Sequence, residues 1–241
     1  VTPDSAAEAA HVAPVTSPLL QMTRTTPTCL WNDSADPREL AESMSFGAVG
    51  ATCNPVIALA AIKADLPTWR ARIAELALAH PTATEDAIGW MIVEELSVKA
   101  AALLHPTFVE HRGRNGRLSV QTDPRLHRDV DGLIAQAVHF ASLAENIIVK
   151  IPATAAGIAA IEEVTYRGVS INATVSFTVP QALAVGEAVE NGLRHPFAEL
   201  GIVPELLAEC LASDLELVRR EEDVEARRRR RQGGRAGARG P

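Results

Sequence analysis

The chain has 241 residues, 47% hydrophobic and 22% charged, enough to bury a core as one large domain or two small ones. No run of eighteen apolar residues occurs, nor a basic n-region followed by an apolar stretch, which argues against transmembrane and secretory readings. The net charge of −7 is uneven: residues 219–241 hold nine arginines against four acids, leaving 14 basic and 26 acidic side chains in the preceding 218 residues, an acidic body without the basic face that nucleic-acid binding needs.

Residues 1–24, rich in Ala, Pro, Ser and Thr without periodicity, read as a mobile leader or loose cap. Thr28–Trp31 is a short apolar run closed by Asn32-Asp33-Ser34, and Asp36 or Ser34 stands ready to cap a helix Pro37–Ser45. Asp33 taken alone is a second candidate for that cap. Gly47–Thr52 reads as a buried strand ending at Cys53-Asn54-Pro55, with the proline opening a helix Val56–Lys63. Asn54 is then a strand-end residue, either a turn amide or a site group. Helices are expected over 66–79 and 84–104, the second capped at Thr84, with Trp69 and Trp90 as packing residues.

After the Asn115-Gly116 turn, Arg117–Pro124 reads as a third strand with Ser119, Gln121 and Asp123 on one face. Asp129–Leu143 is the next amphipathic helix. The β-branched run Ile147-Ile148-Val149 then gives a strand covered on both faces, ending on Lys150. A lysine there either snorkels to solvent or is desolvated, and desolvation lowers its pKa. A helix 155–166 follows, then the strand GVSINATVSFT, with Asn172, Thr174 and Ser176 on one face and Ile171, Ala173 and Val175 on the other. Strand and helix alternate throughout, which calls for a parallel sheet with right-handed crossovers. Polar residues at strand C-termini converge on one mouth in such a sheet. Asp33, Asn54, Gln121, Lys150, Asn172 and Thr174 form that set. Cys29, Cys53 and Cys210 make neither a disulfide framework nor a zinc site, so a reduced, cytoplasmic protein is expected.

The blocks WNDSAD, GAVGATCNP, GRLSVQTDPR, IIVKIPAT-x-x-GI and GVSINATVSFTVPQA resemble, in order and spacing over about residues 23–193, the signature blocks of transaldolases. The resemblance implies an α/β fold of the (β/α)8 TIM-barrel type and a class I aldolase mechanism with no cofactor and no metal. It implies a dihydroxyacetone unit passed between ketose and aldose phosphates in the pentose phosphate pathway. Lys150 would match the Schiff-base lysine and Asp33 the acid that assists proton transfer and C–C cleavage. Asn54 and Asn172 would hold ketose hydroxyls, and Thr174 would position the catalytic water. Gln121 joins the catalytic set, and Thr52, Ser176 and Phe177 the substrate-binding set. The family commonly has Glu at Gln121; a glutamine there resembles the fructose-6-phosphate aldolase branch, whereas Phe177 matches the transferases. Transfer is the first expectation and free aldolase activity the second. A homodimer is also implied.

The resemblance fades after about Arg194. Residues 203–231 read as one helix with an increasingly charged end, within a helical segment 195–226, and 227–241 as a disordered Arg/Gly tail. An eightfold barrel typically takes about 250 residues. Strands six to eight, whose loops carry the family's phosphate grip, are therefore expected to be missing or replaced. A partial barrel over 25–194 and a catalytically inactive truncated fragment belong to the same expectation.

Overall fold

The structure, a computed structural model, describes residues 17–200, with side chains as far as Arg194. The leader up to residue 16 and the helix and tail expected beyond 200 lie outside the described residues. Eight helices and five strands alternate in it: α1 (Pro18–Thr25), β1 (Leu30–Asn32), α2 (Pro37–Ser45), β2 (Ala48–Cys53), α3 (Pro55–Ala64), α4 (Leu66–Ala79), α5 (Glu85–Glu110), β3 (Arg117–Gln121), α6 (Val130–Leu143), β4 (Ile147–Pro152), α7 (Ala155–Tyr166), β5 (Ile171–Thr174) and α8 (Val179–Leu200). All strand pairings are parallel and the order is β1-β2-β3-β4-β5, so each crossover moves one strand along. The result is a curled, partial (β/α)-barrel with helices on its outer face. No described helix is long and apolar enough to cross a membrane.

Period-two alternation gives the strands two faces. Ala51, Cys53, Leu118, Val120, Ile147, Val149 and Ile151 are buried against the helices, with Leu96, Leu104 and Phe140 among the side chains covering them. Fully burying an aliphatic or aromatic side chain of this size contributes roughly 1.5–3 kcal/mol. Trp69 is buried and Trp90 packs obliquely on Phe140, so both belong to the helical layer as expected. The opposite, concave face receives Gly50, Thr52, Ser119, Gln121, Lys150, Asn172 and Thr174, by the pairing of Thr52 with Ser119, Gln121 with Lys150, Lys150 with Asn172 and Pro152 with Thr174.

Caps set the helix starts. Asp36 accepts from the Arg38 and Glu39 amides at the start of α2, so the cap is Asp36 and Asp33 takes no part in it. Thr84, Asp129 and Thr154 cap α5, α6 and α7 in the same way. The sheet is also tied at its N-terminal end. Asn146, buried one residue before β4, donates to the carbonyls of Ala101 and Gly116, and its own carbonyl accepts from the Leu118 amide.

Several boundaries differ from the sequence reading. Residues 18–24, read as part of the leader, lie in α1 (Pro18–Thr25), whose Thr23 lies against Gly47. Helix α5 runs on through Pro106 to Glu110 rather than stopping at 104. Its last turn is held by tertiary packing: Phe108 lies under the Arg117 guanidinium, and Gly116 packs on the Phe108 backbone so closely that a Cβ would overlap it. The third strand ends at Gln121, because Asp123 turns away to cap a short 3-10 turn, Pro124–Leu126. There Asp123 is gripped by Arg125, which holds its carboxyl below the usual range, while burial opposes the shift. The fifth strand ends at Thr174, and Val175 adopts φ +56°. Ser176 therefore does not continue the alternation.

Gly157, in the first turn of α7, sits where a Cβ would overlap the Pro152 carbonyl oxygen at the end of β4. Gly157→Ala is expected to push α7 off the strand and to cost about 1–3 kcal/mol. A urea midpoint unchanged from wild type would show that the helix yields freely.

Candidate active site

Strand ends on the concave face form the candidate site. Lys150, the fourth residue of β4, is half-buried and its Nζ donates to Thr52 Oγ1 on β2 at 2.9 Å. Asn172, in register with it on β5, donates from Nδ2 to Ser119 Oγ on β3 at 3.0 Å. Each of these bonds passes over an intervening strand. Adjacent strands lie about 4.7–4.9 Å apart, so side chains two strands apart meet most readily where a sheet curls inward. The two contacts lace the mouth together on its concave side.

Gly50 lies two residues before Thr52 on the same face, and the Trp31 ring occupies the space its Cβ would need. Burial drives the Lys150 pKa below that of a free lysine, against the smaller opposing pull of the Asp33 carboxylate. Asp33 is exposed, just past the end of β1, and makes no hydrogen bond among the described residues. Its carboxylate is thus near enough to couple to Lys150 without being consumed by a helix cap. Cys53 faces the helices, and burial pushes its thiol up to about 11. It is protonated at neutral pH and a poor nucleophile.

The remaining predicted residues divide into two groups. Gln121, half-buried and in register with Lys150, and Thr174, two residues beyond Asn172, lie on the concave face with no side-chain hydrogen bond among the described residues. Asn54 spends its Oδ1 capping α3, accepting from the Val56 and Ile57 amides at 2.9 Å each, which leaves its Nδ2 as the free group. Ser176 and Phe177 leave the sheet altogether. The left-handed turn at Val175, costly for a β-branched residue by about 1–3 kcal/mol, redirects the chain, and Phe177 is 84% exposed.

Sequence reasoning gave no role to Ser119 or Gln181. Ser119 stood in the same alternation as Gln121, so its place was available from the strand period; its complete burial and its bond to Asn172 were not. Gln181 appeared only as a motif letter, yet its side chain links the loops after β4 and β5. Among the described residues no group of three or more His, Cys, Asp or Glu stands together as a metal site.

A concave lysine of lowered pKa among amides and hydroxyls, on successive strands of a partial barrel, meets an independent comparison. The family described as Transaldolase/Fructose-6-phosphate aldolase matches residues 30–209, well over half of the sequence. The chain belongs to this family. Transaldolase 1 of Streptomyces avermitilis is 38% identical over 149 residues, covering 61% of this chain and 39% of that protein. A transaldolase of an Arthrobacter species is 37% identical over the same length and shares. One from Mycobacterium bovis is 33% identical over 162 residues, or 66% of this chain and 42% of the relative. The chain thus spans about two fifths of the length of these relatives. The family match runs to residue 209, beyond Arg194, where the sequence resemblance was read as fading.

The lowered pKa has a measurable consequence. A desolvated amine is deprotonated at lower pH than a free one, so Lys150 should react with a carbonyl or acylating reagent at pH values where a free lysine in solution does not. Peptide-resolved labelling across pH should give Lys150 a midpoint below 10.5. In Thr52→Val, which removes the acceptor of the ammonium, the midpoint should fall further. A Lys150 profile coinciding with that of a free lysine derivative labelled alongside would contradict the desolvation argument.

Proposed function

We propose that this protein is a transaldolase-type transferase whose reactive group is the Lys150 amine. The observation that carries the reading is that amine itself: desolvated, on the concave face, hydrogen-bonded to Thr52 and electrostatically coupled to Asp33. A neutral lysine adds to the carbonyl of a ketose phosphate and loses water to give an iminium, the usual use of a lysine with a depressed pKa. As the C3–C4 bond breaks, the Asp33 carboxylate takes the proton from the C4 hydroxyl, and the bonding pair flows into the iminium to give an enamine. The first aldose phosphate leaves. The enamine carbon then attacks the aldehyde of an acceptor aldose phosphate, whose oxygen takes the proton back from Asp33, and water hydrolyses the new iminium, releasing the product ketose phosphate and freeing Lys150.

Asn172, held by Ser119, and the free Nδ2 of Asn54 are the amides for the ketose hydroxyls. Thr174 orients the hydrolytic water, and Gln121 orients a water or a substrate hydroxyl, since a neutral amide does not take up a proton as a carboxylate does. Thr52 sets the direction of the amine. Ser176 and Phe177 remain in the proposal as loop residues that contact the part of the sugar phosphate outside the mouth. Sugar-phosphate substrates, the pentose phosphate pathway, a cytoplasmic setting and a homodimer belong to the same proposal and rest on family membership.

Gln121 in register with Lys150 favours a second reading, cleavage of fructose 6-phosphate without an acceptor. The two differ in turnover: without an acceptor aldose phosphate, transfer stops after one equivalent of aldose phosphate per site and leaves the dihydroxyacetone unit on the lysine, whereas aldolase action turns over and releases free dihydroxyacetone.

Lys150→Met should abolish both transfer and cleavage with the thermal transition kept, and Asp33→Asn should lower kcat by about 10²–10⁴, the usual worth of a general acid–base group. Turnover by Lys150→Met would refute the mechanism in either form.

A further inference from the structure

We propose that Gln181 is a positioning residue of the site, a clamp that holds the loop after β4 to the loop after β5 and so fixes Thr174 beside the end of the Lys150 strand. The inference rests on the reading of Lys150 as the reactive amine. Gln181 is the fourth residue of Thr178-Val179-Pro180-Gln181, at the start of α8. Its backbone amide donates to Thr178 Oγ1 at 3.4 Å, and its Oε1 accepts from Thr178 Oγ1 and from the Phe177 amide, each at 3.1 Å. This is a variant of the capping box: the residue three after the cap reaches back, here to the cap hydroxyl and to the amide of the residue before it, and glutamate can accept there as well as glutamine.

The amide nitrogen does something a capping box does not require. Nε2 donates to the Ala153 carbonyl at 3.0 Å and to the Val175 carbonyl at 3.2 Å. Ala153 directly follows β4 and is three residues from Lys150; Val175 directly follows β5 and Thr174. The Ala153 amide in turn donates to the Thr174 carbonyl at 2.8 Å. Both donors and the acceptor of Gln181 are thus satisfied, and the side chain closes a link from β4 through Ala153 to the turn at Val175. That turn has the left-handed conformation a valine resists (φ +56°), so it needs surrounding contacts to hold it. Gln181 supplies one, at the carbonyl of the turn residue itself. Because β5 has only four residues and is half-exposed along its whole length, this link is a large part of what keeps its C-terminal end in place.

Glutamate at 181 separates the two roles. It keeps the acceptor half that caps α8 and has no donor for Ala153 and Val175. Gln181→Met fills similar space and loses both halves. Three proteins are compared: wild type, Gln181→Glu and Gln181→Met. The readouts are thermal stability, the rate at which borohydride traps dihydroxyacetone on Lys150, and amide hydrogen exchange at Ala153. Gln181→Glu should keep a near wild-type transition, while trapping slows by about tenfold or more, the scale expected when a reacting group is misplaced by a fraction of an ångström to an ångström. Its Ala153 amide should exchange faster. Gln181→Met should share both losses and also lose stability from the uncapped helix. Wild-type trapping and wild-type exchange in Gln181→Glu would overturn the clamp and leave Gln181 a helix cap. Should wild type itself form no adduct, the reactive-amine reading fails, and exchange alone decides the clamp: faster at Ala153 in Gln181→Glu sustains it, unchanged overturns it.

Discussion

A half-buried lysine amine on the inside of a curled sheet is the constraint around which this molecule is built. Burial lowers its affinity for a proton, and the hydroxyl of Thr52, two strands away, gives it a direction. Neither would hold on a flat sheet. The contact requires β2 and β4 to lean toward each other across β3, and the second crossing contact, Asn172 to Ser119, requires the same of β3 and β5. The curl therefore shapes the site, and the polar pairs that the curl brings together help to hold it.

The rest of the fold keeps those strands in place from outside. The α5, α6 and α7 helices bury the convex faces of β3 and β4, with Asn146 tying the N-terminal end of β4 to α5 and the β3 entry. At the opposite end, Gly157 lets α7 start directly on the Pro152 carbonyl, so the strand that carries Lys150 is held at both termini. Its neighbour β5 is shorter and more exposed, and its hold comes from the turn at Val175 and the side chain of Gln181. Position at the mouth thus depends on local backbone contacts as much as on the hydrophobic core.

Much of this was legible in the sequence because it follows from period. Alternating apolar residues and their caps pointed to the strand–helix order, the parallel sheet and the shared mouth of Gln121, Lys150, Asn172 and Thr174, while the partial barrel came from the family resemblance and the point where it fades. What period does not carry was lost. A β-branched residue in a left-handed turn has no local signal, so Val175 was read as strand and Ser176 was placed on the wrong side of it. The expected end of the fifth helix at 104 fell short of Glu110, because the packing of Phe108 against Gly116 and Arg117 that holds its last turn is long-range. Asp33 and Asp36 competed for one cap, and only the geometry freed Asp33 to couple to Lys150. Ser119 and Gln181 were visible as letters but not as partners, since each acts through a contact to another strand or loop.

The central claim concerns one nitrogen. With three lysines in the chain, at 63, 99 and 150, its chemistry can be read by peptide mass spectrometry after incubation with fructose 6-phosphate and borohydride. The account predicts a reduced dihydroxyacetone adduct on the peptide containing Lys150 and none on the other two. An adduct spread evenly over all three lysines, or absent from Lys150, would contradict it.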